Sequence, residues 1–185
     1  MSNLEECIIK AHEDGLVDHI AVRVGKGEQI LNDCFYSADY EINSKTLFDM
    51  ASVTKIMVTT MLTLIAADRK LLNFDDKVNR FFPCPNDKSE LTIKHLLTHT
   101  MGYGHRSLCE KGNTYDNIQN YVLSLPCDFP VGTKVDYSCP GFILLGKILE
   151  KVFGDRLDRL FISLIAAPLG MESSGCWPLF YHWAA

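Results

Sequence analysis

From Ile56 to Ala67 the chain reads IMVTTMLTLIAA, twelve residues with no charge and with apolar side chains on nearly every helical face. Such a stretch has few options. It is too short to cross a bilayer, so it is expected as a buried helix. Lys55 at its head is the only charged residue between Asp49 and Asp68, and Ser52 stands one helical turn before it. An ammonium carried into low dielectric either finds a partner or gives up its proton, and a neutral amine beside a serine can accept the hydroxyl proton. Ser52-Val53-Thr54-Lys55 is therefore a candidate activated nucleophile. The same four residues also fit a Ser52 N-cap followed by a lysine that snorkels to solvent. On its own, S-x-x-K does not choose between the two.

Composition narrows the function classes. The 185 residues are 47% hydrophobic and 22% charged, ordinary values for a globular chain able to bury a real core. A net charge of −5 without a basic cluster gives nucleic-acid binding no electrostatic support. The first fifteen residues scatter Glu5, Glu6, Lys10, Glu13 and Asp14 along an amphipathic pattern and lack the apolar core of a signal peptide, which leads us to expect a cytoplasmic location. Seven cysteines at irregular spacings fit reduced thiols better than a disulfide framework.

Punctuation sets the order of elements. Two β-rich runs, His19 to Val24 and Gln29 to Tyr36, flank Gly25-Lys26-Gly27-Glu28, a hairpin signal. Asp75 to Val78 opens a short helical piece that Pro83 and Pro85 stop, and Thr92 to His99 reads as a helix ended by Gly102. Met101 to Asn117 reads as a loop or lid, and Asn117 to Leu125 as a short helix before Pro126. A turn at Phe129-Pro130-Val131-Gly132 precedes a short extended piece. Pro140 marks a helix start, Phe142, Leu145, Leu149 and Val152 line one face, and Gly154 closes it. A further helix, Asp155 to Ala166, ends before Pro168-Leu169-Gly170-Met171.

Four of these segments, FDMASVTK, LTIKHLLTHTMG, FPVGTKVDYSCPGFILLGKILEKVFG and PLGM, stand in an order and spacing that resembles the serine β-lactamase-related family. That family includes class C β-lactamases, penicillin-binding DD-peptidases and esterases. The resemblance implies an α+β, β-lactamase/transpeptidase-like fold: a helical subdomain plus the N-terminal part of an antiparallel sheet, its C-terminal strands and helix missing. It implies a hydrolase working through a Ser52 acyl-enzyme on a small-molecule or peptide amide or ester, with Lys55 as partner and Tyr137 as second proton carrier. No cofactor and no membrane span are implied.

Two departures accompany the match. Tyr137-Ser138-Cys139 stands where the family pattern is Tyr-x-Asn, so Cys139 occupies a substrate-positioning place with a weak donor and acceptor. Cysteine is also a poor N-cap, so the helix at Pro140 is expected to lose some stabilisation at its start. The third signature, Lys-Thr/Ser-Gly or His-x-Gly, occurs nowhere in the 185 residues. These departures keep a second reading open, a non-catalytic truncated derivative or interaction module retaining the helical half of the fold. The expected division is 1–48 for the N-terminal helix and hairpin, 49–171 for the mainly helical region, and 172–185 for an atypical aromatic tail. His95 and His99, at i and i+4, have the spacing of a zinc pair, yet no glutamate follows His95 and the resemblance assigns them to packing.

Overall fold

A computed structural model describes residues 3–104 and 117–175. The chain divides into two compact units, Met1–Asp49 and Met50–Ala185. Most of the lid segment, together with Cys109, Cys176 and the tryptophan-bearing tail, lies outside the described residues.

The first unit holds helix α1 (Asn3–Glu13) and strands β1 (His19–Lys26) and β2 (Gln29–Ser37). The strands pair antiparallel from His19 opposite Ser37 to Lys26 opposite Gln29, with an irregularity between Val24 and Gly25. That bulge lets a tight turn through left-handed Gly27 close the ribbon. Arg23 pairs with Asp33 directly across the ladder. Ile8 of α1 and Cys34 of β2 are buried, as is Ile42 in the irregular stretch that follows.

The second unit is built around one helix. It contains α2, a π-helical turn Lys55–Thr60 continuing as an α-helix Met61–Asp68, then α3 (Ile93–Leu97), α4 (Ile118–Ser124), α5 (Cys139–Phe153) and α6 (Leu157–Phe161), the last running into a π-helical turn Ile162–Ala166. Short 3₁₀ turns lie at Val78–Arg80 and Asn86–Lys88. Helix α5 touches α2, α3, α4 and α6, and Leu144, Leu145, Ile148 and Leu149 are completely enclosed. Its buried surface is therefore wider than the single face the sequence suggested. The opposite correction applies to α2. Val58, Leu62 and Ala66 pack inward, while Ile56 is 67% and Leu64 is 46% exposed. All-round apolarity does not bury α2 among the described residues, because only one of its sides meets α5 and its neighbours.

Helix ends follow local chemistry. Ser138, not Cys139, is the N-cap of α5: its Oγ accepts from the Gly141 N–H at 3.4 Å, and Gly154 closes the far end with φ of 73°. The weakness expected from Cys139 as a cap is thus absent, since the cap lies one residue earlier. Helix α3 starts in a capping box in which His95 takes the usual Glu/Gln place, its Nδ1 accepting from the Thr92 N–H at 3.2 Å. It ends at Thr98, before the expected Gly102, because His99 itself turns left-handed at φ of 55°.

Gly102 has a different duty. At φ of 97°, a Cβ there would sit 2.7 Å from the Phe129 carbonyl oxygen. Gly102→Ala is expected to cost about 2–4 kcal/mol, combining left-handed strain with a backbone clash. The urea midpoint should fall accordingly; a midpoint equal to that of the parent would show that this contact is loose.

One buried charge was not foreseen. Lys88 is 2% exposed, its ammonium 2.8 Å from Asp87 Oδ2 and over the Tyr103 ring, whose hydroxyl donates to the Val122 carbonyl at 2.6 Å. The adjacent ammonium holds the Asp87 carboxyl below its ordinary range. Burial pushes the nearby Cys84 and Cys127 thiols up, and the described cysteines are free.

Candidate active site

The turn that brings Ser52 to α2 is tight. Val53, Thr54 and Lys55 donate their N–H groups to the carbonyls of Met50, Ala51 and Ser52, three residues back in each case. Ala51 pays for that path with φ of 42°, an uncommon conformation for a residue with a Cβ. The result places Ser52 at the mouth of α2, where the positive end of the helix dipole favours negative charge.

Two side chains converge on Ser52. The Lys55 ammonium donates to Ser52 Oγ at 3.2 Å and the Tyr137 hydroxyl donates to the same atom at 2.7 Å. Lys55 Nζ also lies 5.2 Å from the centre of the Tyr137 ring. Lys55 is 5% exposed, so it does not snorkel, and Ser52 spends its hydroxyl on lysine and tyrosine. Tyr137 is 43% exposed and Ser52 lies open, while the lysine beside them is buried. Ser52 Oγ thus accepts from an ammonium and a phenol at once.

Cys139, the first residue of α5, is a half-buried free thiol two residues beyond Tyr137. His95 and His99 do not act together. His95 closes the α3 cap, whereas His99 Nδ1 accepts the Ser138 N–H at 3.0 Å and its ring lies 4.6 Å from that of Tyr137 and 5.0 Å from that of Phe142. Among the described residues there is no group of three potential metal ligands. The contact of His99 with Tyr137 had no signal in the sequence beyond its place in the HTMG segment. The left-handed Ala51 had none at all.

Both imidazoles are held below their ordinary value of 6.5, mainly by burial, with the Lys94 charge adding at His95 and the Lys55 charge at His99. The charged and titratable groups around His99 are Lys55 on α2 and Asp136 and Tyr137 on the segment before α5. The unfolded chain therefore takes up these protons first as pH falls. Their contribution to stability is complete above about pH 6.5 and is lost as pH drops from there through the lower folded values. Urea midpoints between pH 7.5 and 5 should decline over that window, less steeply in His99→Asn; an equal decline in both would remove His99 from the account.

The β-lactamase family pattern matches residues 9–179. The chain belongs to the β-lactamase family. Over 190 aligned residues it is 34% identical to esterase EstB of Burkholderia gladioli, covering 88% of this chain and 48% of that protein. It is 31% identical to a provisionally assigned D-alanyl-D-alanine carboxypeptidase of Escherichia coli K12, covering 72% of this chain and 35% of the relative. The class C β-lactamase structure from Rhodobacter sphaeroides superposes with a TM-score of 0.74 at 23% identity, over 89% of this chain and 47% of the other. The fold is thus β-lactamase/transpeptidase-like in its mixture of helices with an antiparallel sheet, of which two strands are present among the described residues. This β-lactamase-family chain spans between a third and a half of the length of those two sequence relatives. Among the described residues no helix is long and apolar enough to cross a membrane.

Proposed function

We propose that this chain carries the nucleophilic half of a serine acyl-transfer site acting on an amide or ester of a small molecule or peptide. The observation that carries the reading is the convergence of Lys55 Nζ and Tyr137 Oη on Ser52 Oγ. In the step envisaged, Tyr137 first releases its phenol proton to solvent, and the resulting phenolate accepts the Ser52 hydroxyl proton, with Lys55 supplying positive charge at Ser52 Oγ. Oγ then bonds to the substrate carbonyl carbon, and the tetrahedral oxygen carries the negative charge. Collapse breaks the bond to the leaving group, which takes the proton from Tyr137, and water repeats the cycle in reverse to free Ser52. Cys139 would line the substrate side, where a thiol holds an amide carbonyl less firmly than a carboxamide would.

The second reading is a non-catalytic form that keeps the helical half of the fold. The thiol of Cys139, a weak donor and acceptor in the substrate-positioning place, favours it. Turnover of a chromogenic β-lactam and of a p-nitrophenyl ester separates the two. The catalytic reading expects hydrolysis above the rate in buffer that disappears in Ser52→Ala. Hydrolysis that survives Ser52→Ala would contradict it.

A further inference from the structure

His99 grips three consecutive residues by three different means. Its carbonyl accepts the Asp136 N–H at 2.9 Å, its ring lies on Tyr137, and its Nδ1 accepts the Ser138 N–H at 3.0 Å. The backbone at residue 99 is left-handed where the carbonyl and the ring meet the same strip of chain, and histidine is among the side-chain-bearing residues that tolerate it. Phe142 supports the far side of the assembly, with its ring 5.0 Å from the imidazole. Ser138 passes the constraint onward, capping α5 through Gly141 and touching Met101 Sδ at 3.5 Å.

This arrangement solves a mechanical problem. Tyr137 is 43% exposed and precedes α5, so little packing fixes its ring, yet its hydroxyl must stay on Ser52 Oγ across 85 residues of chain. We infer that His99 is a positioning residue for Tyr137, holding Asp136, Tyr137 and Ser138 so that the phenol oxygen stays in line with Ser52. The inference rests on the acyl-transfer reading of Ser52 and assigns a role outside the Ser-Lys-Tyr set. It also fixes the tautomer: with Nδ1 accepting from Ser138, the neutral ring carries its proton on Nε2.

Two substitutions separate the ring nitrogen from the backbone. Glycine and asparagine both accept a positive φ and both remove the ring, but asparagine places a carboxamide oxygen where Nδ1 accepts the Ser138 N–H. With a fluorophosphonate probe, which bonds its phosphorus to Ser52 Oγ as fluoride leaves, His99→Gly should be phosphonylated about 30- to 100-fold more slowly than the parent, the scale of a misplacement near 1 Å, and His99→Asn should regain about tenfold of that loss. Equal rates in Gly and Asn, or a Gly variant within threefold of the parent, would overturn the role.

Nitrogen-15 spectra of the unaltered protein give a second test that needs neither folding of a variant nor activity. They should show His99 with its proton on Nε2 and the Ser138 amide proton shifting as His99 titrates. A proton on Nδ1 at pH 7.5, or a Ser138 amide blind to that titration, would refute the clamp. If the parent forms no adduct, the acyl-transfer reading fails, and the nitrogen spectra still decide what His99 holds.

Discussion

Lys55→Met should slow acylation of Ser52 by about 100- to 1,000-fold, the range that one preorganised electrostatic stabiliser supplies. Methionine preserves the buried apolar stem at the head of α2 and removes only the charge, so the chain should fold with little change in thermal midpoint. Lys55→Arg sharpens the test. A guanidinium keeps the positive charge but holds its proton at any accessible pH and is too broad for the space a lysine fills at 5% exposure. If Arg restores the rate, Lys55 acts through charge alone; if it does not, the compact ammonium and its exchangeable proton are required. Pseudo-first-order labelling rates read at several probe concentrations measure the effect. A Lys55→Met rate within threefold of the parent would exclude the lysine from the chemistry.

Tyr137→Phe is the second large effect expected. It deletes the hydroxyl 2.7 Å from Ser52 Oγ while leaving the ring stacked on His99. Because Tyr137 is 43% exposed, the change should alter stability by no more than about 0.5 kcal/mol. Acylation should fall by about 100- to 10,000-fold, and hydrolysis of any acyl-enzyme that does form should fall too, since in the proposed mechanism the same oxygen activates water in the return step. Intact-mass time courses resolve both phases. A variant that acylates at the parent's rate but accumulates adduct would confine Tyr137 to deacylation.

Much of the fold was legible because its boundaries are written in local chemistry. Gly25-Lys26-Gly27-Glu28 specifies the hairpin, and Pro140 with Gly154 brackets α5. Burial was harder to read. Helix α2 looks enclosed by its composition, yet Ile56 and Leu64 are exposed, because burial depends on which elements cover a face and not on hydropathy alone. Cap assignment failed by one residue at Ser138, where two neighbouring polar side chains compete for one role and only geometry decides.

The site shows the same division. Spacing brought Ser52 and Lys55 to one place, since three residues make nearly one helical turn. Tyr137 came from the resemblance, because no local rule links residues 85 positions apart. His99 escaped because its importance lies in a left-handed backbone and a long-range N–H, both invisible in a string of letters.

The proposed activation of Ser52 by Lys55 and Tyr137 is checked by intact-mass analysis after incubation with a fluorophosphonate. The result expected is one phosphonyl adduct per chain, mapped to the peptide containing Ser52 and lost in Ser52→Ala. A folded chain that takes up no adduct, or one whose adduct persists unchanged in Ser52→Ala, would contradict it.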